Sequence, residues 1–237
     1  MKLASFFDLS GVLINGYMIL EFPKYLEEIN LFHAGVRKEI DRDMDDYVVG
    51  RKSYRDIAIK LPRDYARGLK GINQKDVEIA AADFVENSRS HVYDYADEFV
   101  ATMKSIGNVI AISGEPYEIV SYIAELLRFD YAFATKLEVN KGIYTGEVKL
   151  DMAIAESKET VMKEIIKGRK FDMNNSFAFG DTDQDLAMLA AVGNPIAVNP
   201  KGKLKEIAES NKWPIIWHDR EPVEQLKDIL EQKGYKV

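Results

Sequence analysis

Three short polar segments carry the residue types that could do chemistry. They read Asp-Leu-Ser-Gly-Val at residues 8–12, Ser-Gly-Glu-Pro at 113–116 and Gly-Asp-Thr-Asp-Gln-Asp at 180–185. A carboxylate close to a glycine can act as a nucleophile or metal ligand where backbone amides meet an anion. A hydroxyl and a glycine before a helix can bind phosphate oxygens. Each segment alone is also typical of ordinary capping, so only their combination indicates a site.

The third segment places three carboxylates within five residues. Such crowded carboxylates repel one another unless a cation or a basic side chain lies among them. Oxygen ligands select a hard cation, and beside a phosphate the natural choice is Mg²⁺. The spacing does not fit an EF-hand, and Asp183 is also well placed to cap the next helix. We therefore favour Asp181 first and Asp185 second as metal-site residues.

The surrounding pattern predicts an α/β fold with a Rossmann-like three-layer core, a parallel sheet and an inserted all-helical cap domain. We assign residues 1–15 and 91–237 to the core and 16–90 to the cap. Predicted cap helices span 17–31, 35–49, 53–69 and 73–86. Predicted strands span 3–9, 108–112, 131–137, 176–179, 195–198 and 214–217, with a hairpin through 140–142. Predicted core helices span 95–105, 116–127, 156–167, 183–192, 201–211 and 222–232. The carboxyl ends of parallel strands share one sheet edge, so the three polar segments should meet there.

Composition excludes several classes of function. The 237 residues include no cysteine and carry a net charge of −7, which argues against thiol chemistry and nucleic-acid binding. His33, His91 and His218 show no spacing typical of a zinc site or a catalytic triad. No apolar run is long enough to span a membrane and no secretory signal is evident, so a cytoplasmic protein is expected. The sequence does not indicate an oligomeric state.

Four features, taken in their order along the chain, resemble the motifs of the haloacid dehalogenase superfamily. They are the strand-end Asp8, the strand-end Ser113, the helix-borne Lys158 and the GDxxxD segment at 180–185. The resemblance covers nearly the whole chain. The helical insertion, together with residues 129–147, resembles the phosphoserine-phosphatase-like branch, subfamily IB. It implies a Mg²⁺-dependent phosphatase acting on a small phosphorylated metabolite.

The resemblance also implies roles for individual residues. Asp8 would be the nucleophile that forms an aspartyl-phosphate. The side chain of Asp8, the backbone carbonyl of Ser10 and Asp181 would bind Mg²⁺, with Asp185 supporting the metal waters or the lysine. Ser113, the Gly114 amide and Lys158 would bind the phosphate, and Lys158 would also neutralise charge on Asp8. If the helix turns a different face toward the site, Lys163 would take the role assigned to Lys158.

One position departs from the family pattern. The superfamily's phosphatases usually carry a second aspartate two residues after the nucleophile, as acid and base, and here that position is Ser10. Positioned proton transfer contributes about 10² to 10⁴ in rate. The alternatives are a phosphatase with a substitute acid such as Glu115 or a residue of the cap, a preference for good leaving groups, a phosphate-binding protein without catalysis, or a phosphotransferase to an acceptor other than water. We favour the phosphatase because the other motif residues are present.

Substrate choice should depend on the residues of the insertion. Five of its side chains could point inward: Tyr17, Glu21, Arg51, Arg55 and Lys60. The glutamate and arginine used by phosphoserine phosphatases have no clear match in this sequence. Phosphoserine is therefore not the predicted substrate.

Overall fold

The computed structural model describes residues 2–153, 155–169 and 171–237. Within them, one sheet has the strand order β4-β3-β2-β1-β5-β6-β7. Only β4 is antiparallel to its neighbour, and it forms the predicted hairpin with β3. The strands are β1 Ala4–Phe7, β2 Asn108–Pro116, β3 Tyr131–Asn140, β4 Ile143–Leu150, β5 Phe177–Gly180, β6 Asn194–Val198 and β7 Ile215–Ile216.

Alternating side chains divide the core between the two faces of the sheet. Phe7 and Phe179 stack on one face at a ring-centroid distance of 4.4 Å, whereas Phe6 and Ala178 belong to the opposite face. Helices α5 Ala96–Ile106, α6 Tyr117–Leu126 and α10 Pro222–Gln232 cover the first face. Helices α7 Ala155–Arg169, α8 Leu186–Ala190 and α9 Gly202–Ser210 cover the second. Apolar residues of period two thus bury both faces, and the predicted three-layer α/β fold is confirmed.

Four consecutive helices lie between β1 and α5. They are α1 Met18–Glu28, α2 Ala34–Val48, α3 Tyr54–Leu69 and α4 Gln74–Asn87. Ser53 starts α3 through a capping box with Asp56, which satisfies amides that the helix itself leaves unpaired. Ring contacts among Phe22, Tyr65 and Phe84 join three of the helices. Helix α4 packs on α6 and α3 packs on β4, so the insertion contacts the sheet layer. Its division from the core as a separate domain stays a prediction.

Two predicted elements differ from the structure near the polar segments. Strand β2 continues through Ser113 to Pro116, because its pairing with β3 resumes at Pro116 opposite Thr135 after an irregularity. The helix predicted over 183–192 is split into a 3₁₀ turn, Asp183–Asp185, followed by α8. None of the helices in the described ranges combines the length and the apolarity that a bilayer crossing requires.

Candidate active site

The carboxyl ends of β1, β2 and β5 are adjacent in the sheet, and the residues that follow them meet at one cavity of about 130 Å³. Six of the residues predicted from the sequence line it: Asp8, Ser10, Ser113, Gly114, Lys158 and Asp181. Parallel pairing explains this convergence, since it places the three strand ends on the same edge. Asp185 lies directly behind the cavity and is fully buried.

Lys158 connects the first and third polar segments. Its Nζ donates to Asp8 Oδ1 at 2.8 Å and to Asp185 Oδ1 at 2.6 Å, and only 4% of the residue is exposed. Burial by itself would lower the pKa of Lys158, but the attraction of Asp185 and Asp8 raises it above its ordinary value. The ammonium is therefore held charged beside the predicted nucleophile. Lys163 instead pairs with Glu159 on the outside of α7, where its side chain is 72% exposed.

Three buried carboxylates form a group that could hold a metal ion. Asp8, Asp181 and Asp185 each place an oxygen within 4.8 Å of the others. Burial raises the pKa of Asp8 well above its usual range, opposed by Lys158 and reinforced by Asp185 and Asp181. Burial and Asp185 likewise raise the pKa of Asp181 to about 6, against the attraction of Lys201. Two lysines against three carboxylates leave an excess of negative charge, and an all-oxygen donor set suits a hard cation.

Asp185 organises the turn that carries Asp181. Its Oδ2 accepts hydrogen bonds from the backbone amides of Asp181 and Thr182 at 3.1 and 3.2 Å, while its Oδ1 accepts from Lys158. Thr182, rather than Asp183, is the N-cap of the 3₁₀ turn, so the capping role considered for Asp183 is wrong. The reason is that the Asp185 side chain folds back on the turn and closes a capping box with Thr182.

Gly11 allows the first segment to approach the third. The chain after β1 turns tightly, with the amides of Leu13 and Ile14 both donating to the carbonyl oxygen of Leu9. Gly11 has a φ of +78°, and a Cβ at this position would lie 2.0 Å from Asp181 Oδ2. A side chain here would be strained and would also displace a carboxylate of the acidic group.

We expect Gly11→Ala to destabilise the fold and to weaken the binding of a divalent cation at the acidic group, with Mg²⁺ as the probe. The left-handed conformation alone should cost about 1–2 kcal/mol in free energy of unfolding, and the displaced Asp181 should weaken cation binding. Gly50→Ala is the matched control, because Gly50 has a φ of +75° and a methyl group added there would meet no atom within 4 Å. Thermal unfolding with and without Mg²⁺ measures both effects. A full Mg²⁺-induced rise in Tm for Gly11→Ala would contradict the expectation.

Ser10 is paired with a buried carboxylate of the second segment. Its Oγ donates to Glu115 Oε1 at 2.7 Å, and both side chains line the cavity. Glu115 also accepts from the backbone amides of Met18, at 3.2 Å, and Ile19, at 2.6 Å, in the first turn of α1. Burial raises the pKa of Glu115, although these three hydrogen bonds and Lys158 oppose the rise. Ser10, the position that departs from the family pattern, is thus hydrogen-bonded directly to the buried carboxyl group of Glu115.

Three supporting residues were missed by reasoning from the sequence. Lys201, at the start of α9, pairs with Asp181 Oδ2 at 3.0 Å. Asn199, just after β6, donates to the carbonyl oxygen of Gly11 at 2.9 Å. Thr135 donates to the carbonyl oxygen of Gly114 at 2.8 Å and so fixes the backbone of the second segment. Asn199 and Lys201 follow a strand on the same sheet edge, and that rule could have identified them.

Of the five side chains in the insertion that could point inward, only Tyr17 lines the cavity. Glu21 pairs with Lys24, Arg51 with Asp46, Arg55 with Glu156 and Lys60 with Asp43 and Asp64. Helices α1 to α3 otherwise present apolar residues to the cavity. Burial raises the pKa of Tyr17, with Lys201 opposing the rise and Asp181 and Asp8 adding to it, which places this phenol near the acidic group.

Comparison with known proteins agrees with this geometry. The model of the haloacid dehalogenase-like hydrolase family matches residues 6–190. The inhibition of morphological differentiation protein of Streptomyces azureus is 28% identical over 91% of this chain and 78% of its own length. The phosphoserine phosphatase of Methanocaldococcus jannaschii is 28% identical over 86% of this chain and 88% of its own. A solved phospho-aspartyl intermediate analogue of phosphoserine phosphatase is 26% identical and covers 98% of both chains with a TM-score of 0.64. The chain therefore belongs to the haloacid dehalogenase-like hydrolases, in the phosphoserine-phosphatase-like branch.

Proposed function

We propose that the protein is a Mg²⁺-dependent phosphatase that hydrolyses a small phosphomonoester through an aspartyl-phosphate on Asp8. The observation that carries the proposal is the buried contact of Asp8 Oδ1 with Lys158 Nζ at 2.8 Å in the cavity that Ser113 and Asp181 also line. A carboxylate and an ammonium at the end of a parallel strand suit attack on a phosphorus atom and neutralisation of its oxygens. The phosphatase names of similar proteins support the same reaction.

In the first half of the reaction, a carboxylate oxygen of Asp8 attacks phosphorus and the bond from phosphorus to the substrate oxygen breaks. Lys158 stabilises the charge on the phosphoryl oxygens, together with Ser113 Oγ and the Gly114 amide. In the second half, a water oxygen attacks the phosphorus of the aspartyl-phosphate, so that Asp8 and inorganic phosphate are released. Asp185 contributes by holding Lys158 and the backbone of the acidic turn.

The protons of both halves are assigned to the pair formed by Ser10 and Glu115. The departing substrate oxygen takes a proton from Ser10 Oγ as Glu115 passes its own proton to Ser10, and the attacking water returns a proton by the reverse route. The hydrogen bond of 2.7 Å between these side chains provides the path. This assignment gives the enzyme an acid and base without an aspartate at residue 10.

The carboxylates of Asp8 and Asp181 and the backbone carbonyl of Ser10 are the proposed ligands of Mg²⁺. When bound, the ion supplies positive charge that offsets the buried carboxylates and the phosphate. Helices α1 to α4 are proposed to act as the cap, which covers the phosphate site and excludes water from it.

We expect phosphate release from para-nitrophenyl phosphate to require Mg²⁺. EDTA should remove the activity and added Mg²⁺ should restore it, because the acidic group otherwise repels the phosphate. The measurement is inorganic phosphate against time over a Mg²⁺ titration, with Na⁺ at matched ionic strength as the control. Turnover that is unchanged in EDTA would reject the metal-dependent mechanism.

The second candidate is a phosphate-ligand binding protein, and Ser10 in place of an aspartate is the observation that favours it. It predicts stabilisation by phosphate compounds with no turnover of any ester at any pH or Mg²⁺ concentration. A phosphotransferase would instead accelerate sharply when an alcohol acceptor is added. The same phosphate assay separates these outcomes.

A further inference from the structure

The wall of the cavity that α1, α2 and α3 contribute is mainly apolar. Its apolar side chains include Ile19, Leu20, Met44, Ile57, Leu61 and Pro62. The charged groups that line the cavity all come from the β1, β2 and β5 ends and from α7, and each has a proposed role with the phosphoryl group, its proton or the metal. Among the described residues, α1 to α3 contribute no charged side chain to the lining.

Three charged residues of these helices that could have faced the cavity are paired with other residues instead. Lys60 pairs with both Asp43 and Asp64 between α2 and α3, and Arg55 pairs with Glu156 at 3.0 Å. Glu21 pairs with Lys24 at 2.9 Å. A substrate with an ammonium or carboxylate on its leaving group would therefore bury that charge against apolar carbon. Burying an unpaired charge is strongly unfavourable, whereas burying an apolar group is favourable.

Two tyrosines also line the cavity. Tyr47 belongs to α2, and Tyr17, just before α1, is 42% exposed. Both offer ring surface to an apolar or aromatic group without adding a charged side chain to the lining.

We propose that the substrate is the phosphate monoester of an uncharged, apolar alcohol or phenol, and not of an amino acid or another charged metabolite. This inference rests on the proposed function, because it assumes that the phosphoryl group is bound at Asp8 and Lys158. The leaving group then extends from the acidic group toward Leu61 and Ile57. Tyr17 and Tyr47, which also line the cavity, contact it with their rings.

A matched pair of non-hydrolysable ligands tests the proposal without turnover. Butylphosphonate and 3-aminopropylphosphonate have the same chain length and differ by a methyl in place of an ammonium. We expect butylphosphonate to bind at least about tenfold more tightly to the full chain in Mg²⁺, as measured by calorimetry or by the ligand-induced shift in Tm. Equal affinity, or tighter binding of the amine, would overturn the proposal. Binding of neither ligand would overturn it as well.

A substitution in the wall should reverse the preference. Leu61→Glu offers a partner to the ammonium, so 3-aminopropylphosphonate should become the tighter ligand. Ile79→Glu is the control, because Ile79 on α4 is 63% exposed and lies outside the cavity lining. If folded Leu61→Glu still binds butylphosphonate more tightly than 3-aminopropylphosphonate, the apolar wall does not determine the preference. If the protein binds the two phosphonates with the expected difference but hydrolyses no ester, the proposed phosphatase activity is wrong and the proposed apolar binding site is supported.

Discussion

Asp8→Asn is expected to lower Mg²⁺-dependent release of phosphate by roughly 10³-fold or more, since the amide that replaces the carboxylate is a poor nucleophile. The loss should be the same for activated and alkyl esters, because both require attack by Asp8. Inorganic phosphate release under saturating substrate is the measurement. Activity within tenfold of the unsubstituted protein would remove Asp8 from the mechanism.

Stability provides a second readout for the same variant. Burial raises the pKa of Asp8, so ionisation of this carboxyl at neutral pH opposes folding. A carboxyl with a raised folded-state pKa stabilises the fold at low pH, and this contribution is lost as the pH rises through that pKa. In EDTA at neutral pH, Asp8→Asn should therefore melt at or above the temperature of the unsubstituted protein. Asp183→Asn is the matched control, because Asp183 lies in the acidic segment but outside the cavity lining.

Glu115→Gln is expected to reduce hydrolysis of an alkyl phosphate by about 10²- to 10⁴-fold and to affect para-nitrophenyl phosphate much less. The reason is that an alkoxide needs a proton on departure, whereas nitrophenolate does not. The measurement is kcat for 1-butyl phosphate and para-nitrophenyl phosphate at several pH values. Equal losses for both esters would mean that Glu115 only holds α1 and Ser10 in place.

Glu118→Gln separates proton transfer from a general effect of losing a buried carboxylate. Glu118 follows Glu115 by three residues, is 7% exposed and accepts a hydrogen bond from Tyr144 at 2.6 Å. It does not line the cavity. The control variant should keep the ratio of the two hydrolysis rates, even where its Tm changes.

Strand ends were the most predictable part of the site. Asp8, Ser113 and Asp181 each follow an apolar run, and parallel pairing of β1, β2 and β5 is enough to bring them together. Lys158 could be selected over Lys163 only by resemblance, because both lie on the amphipathic helix α7 and its phase against the sheet is a tertiary property. The extension of β2 past Ser113 depends on pairing with Thr135, which no local pattern in residues 113–116 reveals.

The apolar wall of the cavity could not be predicted from sequence patterns. Periodicity in α1 to α3 correctly predicts helices with one apolar face, but the face is shared between the core of the insertion and the cavity. Glu21, Arg51 and Lys60 have the chemistry of substrate contacts, yet each is paired with another residue and does not line the cavity. The pair of Lys60 with Asp43 depends on the packing of α2 against α3, which only the folded chain reveals.

The shared hydrogen bond between Ser10 and Glu115 also constrains which sequences this fold can accept. An aspartate at residue 10 would put a second buried carboxylate against one that already caps α1 through Met18 and Ile19. Repulsion between them would raise the pKa of one of the two, so that the pair would hold one proton. Residues 10 and 115 therefore behave as one coupled choice. We therefore expect Ser10→Asp to be tolerated better together with Glu115→Gln than alone.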